Sequence, residues 1–92
     1  MIEQKEIKQT IKKWFKEFTN KNIIDNDNFV KNGYIDSFKF LNLIMFLEKS
    51  YDLEISKEFL QNNNNYTLEK ISAEVLKNIN GWLHIQKFTK KN

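Results

Sequence analysis

The 92-residue chain has no cysteine, no proline, only two glycines and a single histidine. Each absence removes a class of chemistry. Without cysteine there is no disulfide framework, no thiolate-held zinc or iron–sulfur site, and no thiol nucleophile of the protein's own. His84 alone cannot build a site of several imidazoles, so any metal would rest on carboxylates. Scarce proline and glycine disfavour a turn-rich β architecture and favour helices. Arginine is missing too: all 15 basic residues are lysine, against 12 acids. Long apolar runs are also missing. The longest, Leu43 to Leu47, has five residues, whereas a membrane-spanning helix needs about 20. Glu3, Lys5, Glu6 and Lys8 interrupt the first residues, leaving no apolar core for a secretory signal. The expected setting is the cytoplasm, with no stable membrane insertion.

At 40% apolar residues, a chain this short can bury one small core but has little room for a separate catalytic domain. Ile7, Ile11, Trp14, Phe15 and Phe18 recur at steps of three and four, which predicts an amphipathic helix over 3–19. Its other face carries Lys5, Lys8, Lys12, Lys13 and Lys16. Residues 20–36 mix five Asn and three Asp with Gly33, Ile23, Ile24, Phe29, Val30, Tyr34 and Ile35. This reads as a long polar loop with apolar anchors. A second helix starts at Asp36 or Ser37, either of which can cap it, and runs to Tyr51. It is apolar over most of its circumference. At about 100° per residue, Lys39, Asn42, Phe46, Lys49 and Ser50 share one arc, the expected solvent face. A turn over 52–56, a short helix over 57–61 and an asparagine break at 62–65 follow. The last helix starts near Thr67, turns Leu68, Ile71, Ser72, Val75, Leu76 and Ile79 inward, and has Asn80-Gly81 as its C-cap. The domain is expected over 1–80, with a basic extension over 81–92. The fold class is all-α, a small irregular four-helix bundle: three main helices, one short one, and a long loop after the first.

Gly33-Tyr34-Ile35-Asp36-Ser37-Phe38 stands where the long loop meets the second helix. Here the chain resembles the acyl and peptidyl carrier proteins, whose attachment motif reads Gly-x-x-Asp-Ser-Leu. The likeness extends through Leu41, Leu43, Ile44, Leu47 and Glu48 of the second helix. It continues in Tyr51-Asp52-Leu53-Glu54-Ile55 and in Thr67-Leu68-Glu69-Lys70-Ile71, so it covers residues 3 to 80. Phe38, in place of the commoner leucine, is similar to the Asp-Ser-Phe variant of D-alanine and other specialised carriers. The resemblance implies a 4′-phosphopantetheine arm, taken from coenzyme A and joined to Ser37 by a phosphopantetheinyl transferase, with Asp36 supporting that step. It implies a monomer that holds an acyl or aminoacyl group as a thioester, is filled by a loading ligase, and serves downstream transferases. It implies a carrier and not an enzyme. A serine at a helix start suits a phosphodiester, because free N–H groups and the positive dipole end favour negative charge there. The arm also brings the thiol that this chain lacks. Nothing in the residues reads the cargo or its pathway.

Partner contacts are expected at Phe38, Lys39, Asn42, Met45, Phe46 and Lys49 of the second helix. Typical fatty-acid carriers line this face with acids; here Lys39 and Lys49 stand among Asn42 and Phe46. Charge steering toward basic enzyme patches is therefore weakened or reversed, and Phe46 beside Met45 can serve as an apolar anchor. Segment charges run +3 over 1–24, −1 over 25–35, −2 over 36–60, zero over 61–80 and +3 over 81–92. This leaves two rival readings. One is an unmodified carrier-like interaction subunit. The other is a small nucleic-acid-binding domain using the basic ends with Trp14 and Trp82, against which stand the absent arginine and the acidic middle, so no nucleic-acid partner is expected. His84 makes no triad with Ser37, and Asp25 and Asp27 read as loop stabilisers.

Overall fold

The computed structural model describes residues 2–91, with side chains as far as Gly81. Four α-helices follow in order: α1 (Gln4–Thr19), α2 (Ser37–Tyr51), α3 (Lys57–Gln61) and α4 (Leu68–Lys91). A 3-10 turn, Asn63–Asn65, lies between the last two. The described residues form no strand, only an isolated bridge between Asn28 and Thr67. The fold is thus the all-α class expected.

Each helix end has a local cause. α1 stops at Asn20, which adopts a left-handed φ of 57° and returns its N–H to the Lys16 carbonyl. α2 stops at Asp52 in the same conformation, φ 53°, with its N–H on the Glu48 carbonyl. Asn and Asp tolerate this region better than other side-chain-bearing residues. The Glu48 carboxylate also accepts from the Ile55 N–H at 2.9 Å, fixing the turn that follows. Ser56 caps α3 through the Phe59 N–H, and Thr67 caps α4 through the Lys70 N–H.

The core comes from one stripe per helix. Ile7, Ile11, Trp14 and Phe15 of α1 meet Leu68, Ile71 and Val75 of α4, and α2 adds Phe40, Leu43, Ile44 and Leu47. Ser72 is fully buried in α4 and satisfied by the Leu68 carbonyl at 2.7 Å. The long loop over 20–36 is a structured part of this core. Ile23, Phe29 and Ile35 are buried, and Phe29 packs on Phe15 with ring centroids 4.5 Å apart.

The asparagine run is more than a break, because it holds the loop. Asn28 donates to the Asn63 carbonyl at 2.7 Å, Lys31 to Asn64 Oδ1 at 2.6 Å, and the Phe29 N–H to the Tyr66 carbonyl at 2.8 Å. Asp25 and Asp27 stabilise the loop as expected. Asp25 receives Lys8 at 3.2 Å, and Asp27 receives the Tyr34 hydroxyl at 2.8 Å.

Three expectations need correction. Phe18 is not inward but 55% exposed, since the α1 stripe outruns the elements packed on it. Ile24 is exposed while its neighbour Ile23 is buried, as successive residues of an extended segment point to opposite sides. Asn80-Gly81 does not end the last helix, which runs on to Lys91. Gly81 does not adopt positive φ, and glycine inside a helix costs only about 1 kcal/mol relative to alanine. The expected packing of Trp82 and Leu83, and the place of the His84 side chain, lie outside the described residues.

Lys8 joins three elements. Its ammonium lies 3.2 Å from Asp25 of the loop and 3.1 Å from Glu69 of α4, and Gln4 braces the Glu69 carboxylate at 2.6 Å. The hydrogen bond that Lys8 donates to Glu69, and after it the one to Asp25, raises the Lys8 pKa above the usual 10.5 against partial desolvation. A cation whose folded pKa is raised contributes stability fully below the ordinary lysine value and loses it as pH rises through the folded one. The melting temperature should therefore fall more steeply above pH 10.5 in the wild type than in Lys8→Met. Parallel melting curves from pH 8 to 12 check this; parallel slopes would remove Lys8 from the alkaline transition.

Candidate functional site

The start of α2 is built by the loop before it. Gly33 takes a φ of 76°, where any side chain would be strained. The Tyr34 and Ile35 N–H groups then both reach back to the Phe29 carbonyl, at 3.0 and 3.1 Å. Tyr34 is held by Asp27, and that hydrogen bond, followed by burial, raises its phenol pKa above 10.0. Ile35 is buried as the last anchor. The chain therefore enters α2 in a fixed direction.

Asp36, not Ser37, is the N-cap. Its carboxylate accepts the Lys39 N–H at 2.8 Å, and its carbonyl accepts the Phe40 N–H at 2.9 Å. Ser37 is the first helical residue and is exposed. Its hydroxyl is spared from the cap and faces solvent beside the positive end of the helix dipole. An anion joined to this oxygen would meet the free N–H groups of the first turn.

All eight residues expected at the site are exposed: Asp36, Ser37, Phe38, Lys39, Asn42, Met45, Phe46 and Lys49. They do not form one patch. At 100° per residue, Phe38, Met45, Lys49 and Asn42 fall within about 60° of arc, roughly opposite the buried stripe. Lys39 and Phe46 lie further round, toward α1. The solvent face is thus wider and more apolar than the arc through Lys39, Asn42, Phe46, Lys49 and Ser50. Phe38 is 73% exposed and Met45 64%.

Leu41, 53% exposed, was missed as a site residue. It stands three after Phe38 and four before Met45, so helical spacing places all three side by side. That spacing was the signal for it. One face of α2 is covered by α4 and Tyr66, Tyr51 at its end reaches Thr10 of α1, and the second apolar stripe is left in solvent.

Phe18, Tyr34, Asp36 and Lys39 line a cleft of about 310 Å³ beside the helix start. Among the described residues, no cluster of three or more His, Asp or Glu is placed to hold a metal, and no helix is long and apolar enough to cross a membrane. No protein-family model, curated protein or solved structure matches the chain.

Proposed function

We propose that the chain is a carrier protein: Ser37 bears a 4′-phosphopantetheine arm, and the arm holds an acyl or aminoacyl group as a thioester for partner enzymes. The observation that carries this reading is the exposed Ser37 hydroxyl at the first position of α2, relieved of capping by Asp36. The resemblance to carrier proteins around Gly33-Tyr34-Ile35-Asp36-Ser37-Phe38 supports it.

In the attachment step, Ser37 Oγ attacks the phosphorus of coenzyme A that bears the pantetheine. A phosphorus–oxygen bond forms to the serine, the pyrophosphate bond breaks, and adenosine 3′,5′-bisphosphate leaves. The hydroxyl proton passes to a base of the transferase. The resulting phosphodiester sits at the helix N-terminus, where backbone N–H groups favour its charge. The chain itself performs no catalysis; it positions the arm.

Partners dock on the exposed stripe of Phe38, Leu41 and Met45, with Lys49 and, further round, Lys39 along its α1 side. Large apolar side chains supply the binding energy of such contacts, while rim charges set the rate and choice of encounter. The cognate loading enzyme therefore presents an apolar patch with an acidic border. Reversing Lys39 and Lys49 to glutamate should slow loading by that enzyme about tenfold, with thermal stability retained. Loading at an unchanged rate would remove the two lysines from docking.

A second reading, an unmodified interaction subunit, is favoured by the same exposed stripe, which needs no arm to bind a partner. The two separate on Ser37: only the carrier gains mass from coenzyme A and a transferase, and only through that residue.

A further inference from the structure

Charge on α1 is sorted by face. Lys5, Lys12 and Lys16 fall within about 40° of arc and span about 16 Å along the helix. All three are exposed, as is Lys13 beside them. Among the described residues, the ion pairs of α1 belong to Lys8 alone, so the charge of this stripe is not cancelled within the fold. On its α4 side stands Lys8, held by Asp25 and Glu69. On its other side lie Glu6 and Glu17, about 100–120° round from Lys5, and Glu17 lines the cleft toward Phe46 of α2. The stripe is the outward face of α1.

A second basic segment lies at the end of α4. Gln4 bonds Ser72 at 3.1 Å and Lys8 bonds Glu69 at 3.3 Å, so α1 and α4 run antiparallel. α1 begins at Gln4 whereas α4 runs on to Lys91, which leaves about 28 Å of helix beyond Ser72. The Lys5 end of the stripe therefore points the way α4 extends. Residues 81–92 hold three Lys and no acid, together with Trp82, Leu83, Ile85 and Phe88. At helical spacing, positions 82, 85 and 88 fall within about 120° of arc. Positions 84, 87 and 91 fall within about 60° on another face, with 83 and 90 between the two.

We propose that the outward face of α1 docks on an anionic lipid surface, with the end of α4 as a second point of contact. Three arguments carry this. The first is charge complementarity: the surface potential of an anionic bilayer attracts each nearby lysine and needs no shaped pocket. The second is composition. Protein interfaces are depleted in lysine and anchored by arginine and aromatic residues. Between Lys5 and Lys16 this face adds only Gln9, so it offers a folded partner no anchor, and it has no ring on which a nucleic-acid base could stack. The third is the end of α4, where an apolar, aromatic face beside lysines is the pattern of a helix that lies among lipid headgroups.

The test sediments the full chain with vesicles of phosphatidylcholine, alone or mixed with an equal share of phosphatidylglycerol. The chain should bind the mixed vesicles and not the neutral ones, and added salt should weaken the binding. Lys5→Gln, Lys12→Gln and Lys16→Gln together should weaken it about a hundredfold with the melting temperature unchanged. A hundredfold is about 2.8 kcal/mol, close to the attraction of three lysines at such a surface. Tryptophan emission should shift to the blue on the mixed vesicles, and Trp82→Phe should remove that shift. No binding to the mixed vesicles overturns the proposal. So does equal binding to the neutral ones, equal binding by the triple variant, or tighter binding to polyglutamate or to a single-stranded oligonucleotide. An emission shift that is absent, or that persists in Trp82→Phe, overturns the contact at the end of α4. None of these outcomes involves Ser37, so the carrier reading stands or falls on its own test.

Discussion

Phe29→Ala should lower the unfolding free energy by about 3–5 kcal/mol, the usual cost of emptying an aromatic site in a core. A domain of this size has about 5–15 kcal/mol in total, so the loss is a large share of its stability. The size of the effect follows from where Phe29 sits. Its side chain is fully buried against Phe15. Its N–H reaches the Tyr66 carbonyl, and its own carbonyl receives both Tyr34 and Ile35. Removing the ring leaves a cavity and loosens the backbone that carries those bonds. The long loop and the start of α2 then lose their common anchor, so attachment at Ser37 should slow along with the loss of stability. Urea unfolding measures the first effect; a fall below about 1 kcal/mol would mean the loop is held by its polar bonds and not by this ring.

Ser37→Ala should abolish attachment of the arm while leaving stability within about 0.5 kcal/mol, the ordinary range for an exposed position. Asp36→Ala should do the reverse in stability. It removes the carboxylate that accepts the Lys39 N–H, and loss of such a cap costs about 1 kcal/mol, yet the serine hydroxyl remains. The contrast separates two roles that adjacent residues of one helix start could have shared. If Ser37→Ala melts well below the wild type, the serine is structural and its exposure has been misjudged. Thermal melting of the two variants beside the wild type decides it.

The helices were legible in the sequence because their apolar spacing is strong. Ile7, Ile11, Trp14 and Phe15 all proved buried, as did Leu68, Ile71, Ser72 and Val75. The short helix at Lys57–Gln61 and the loop anchors Phe29 and Ile35 were legible too. Periodicity says which residues share a face, but not how far a neighbour extends to cover it. That is why Phe18 was misread and Leu41 passed over: each has the right spacing for an apolar surface, and each is exposed. Asn80-Gly81 was misread for a related reason, since glycine permits a helix to end without requiring it. The asparagine run carries no pattern that would announce its bonds to Asn28 and Lys31, because they join residues far apart in the chain. At the site, the residue types around Ser37 pointed to the helix start. The division of labour, with Asp36 capping and Ser37 free, needed the backbone geometry.

The most direct measurement is the intact mass of the full chain after incubation with coenzyme A and a broad-specificity phosphopantetheinyl transferase, run beside Ser37→Ala. The account predicts that the wild type gains one phosphopantetheine and the variant gains none. A wild type that stays unmodified with several transferases, or a variant that is modified as well as the wild type, would contradict it.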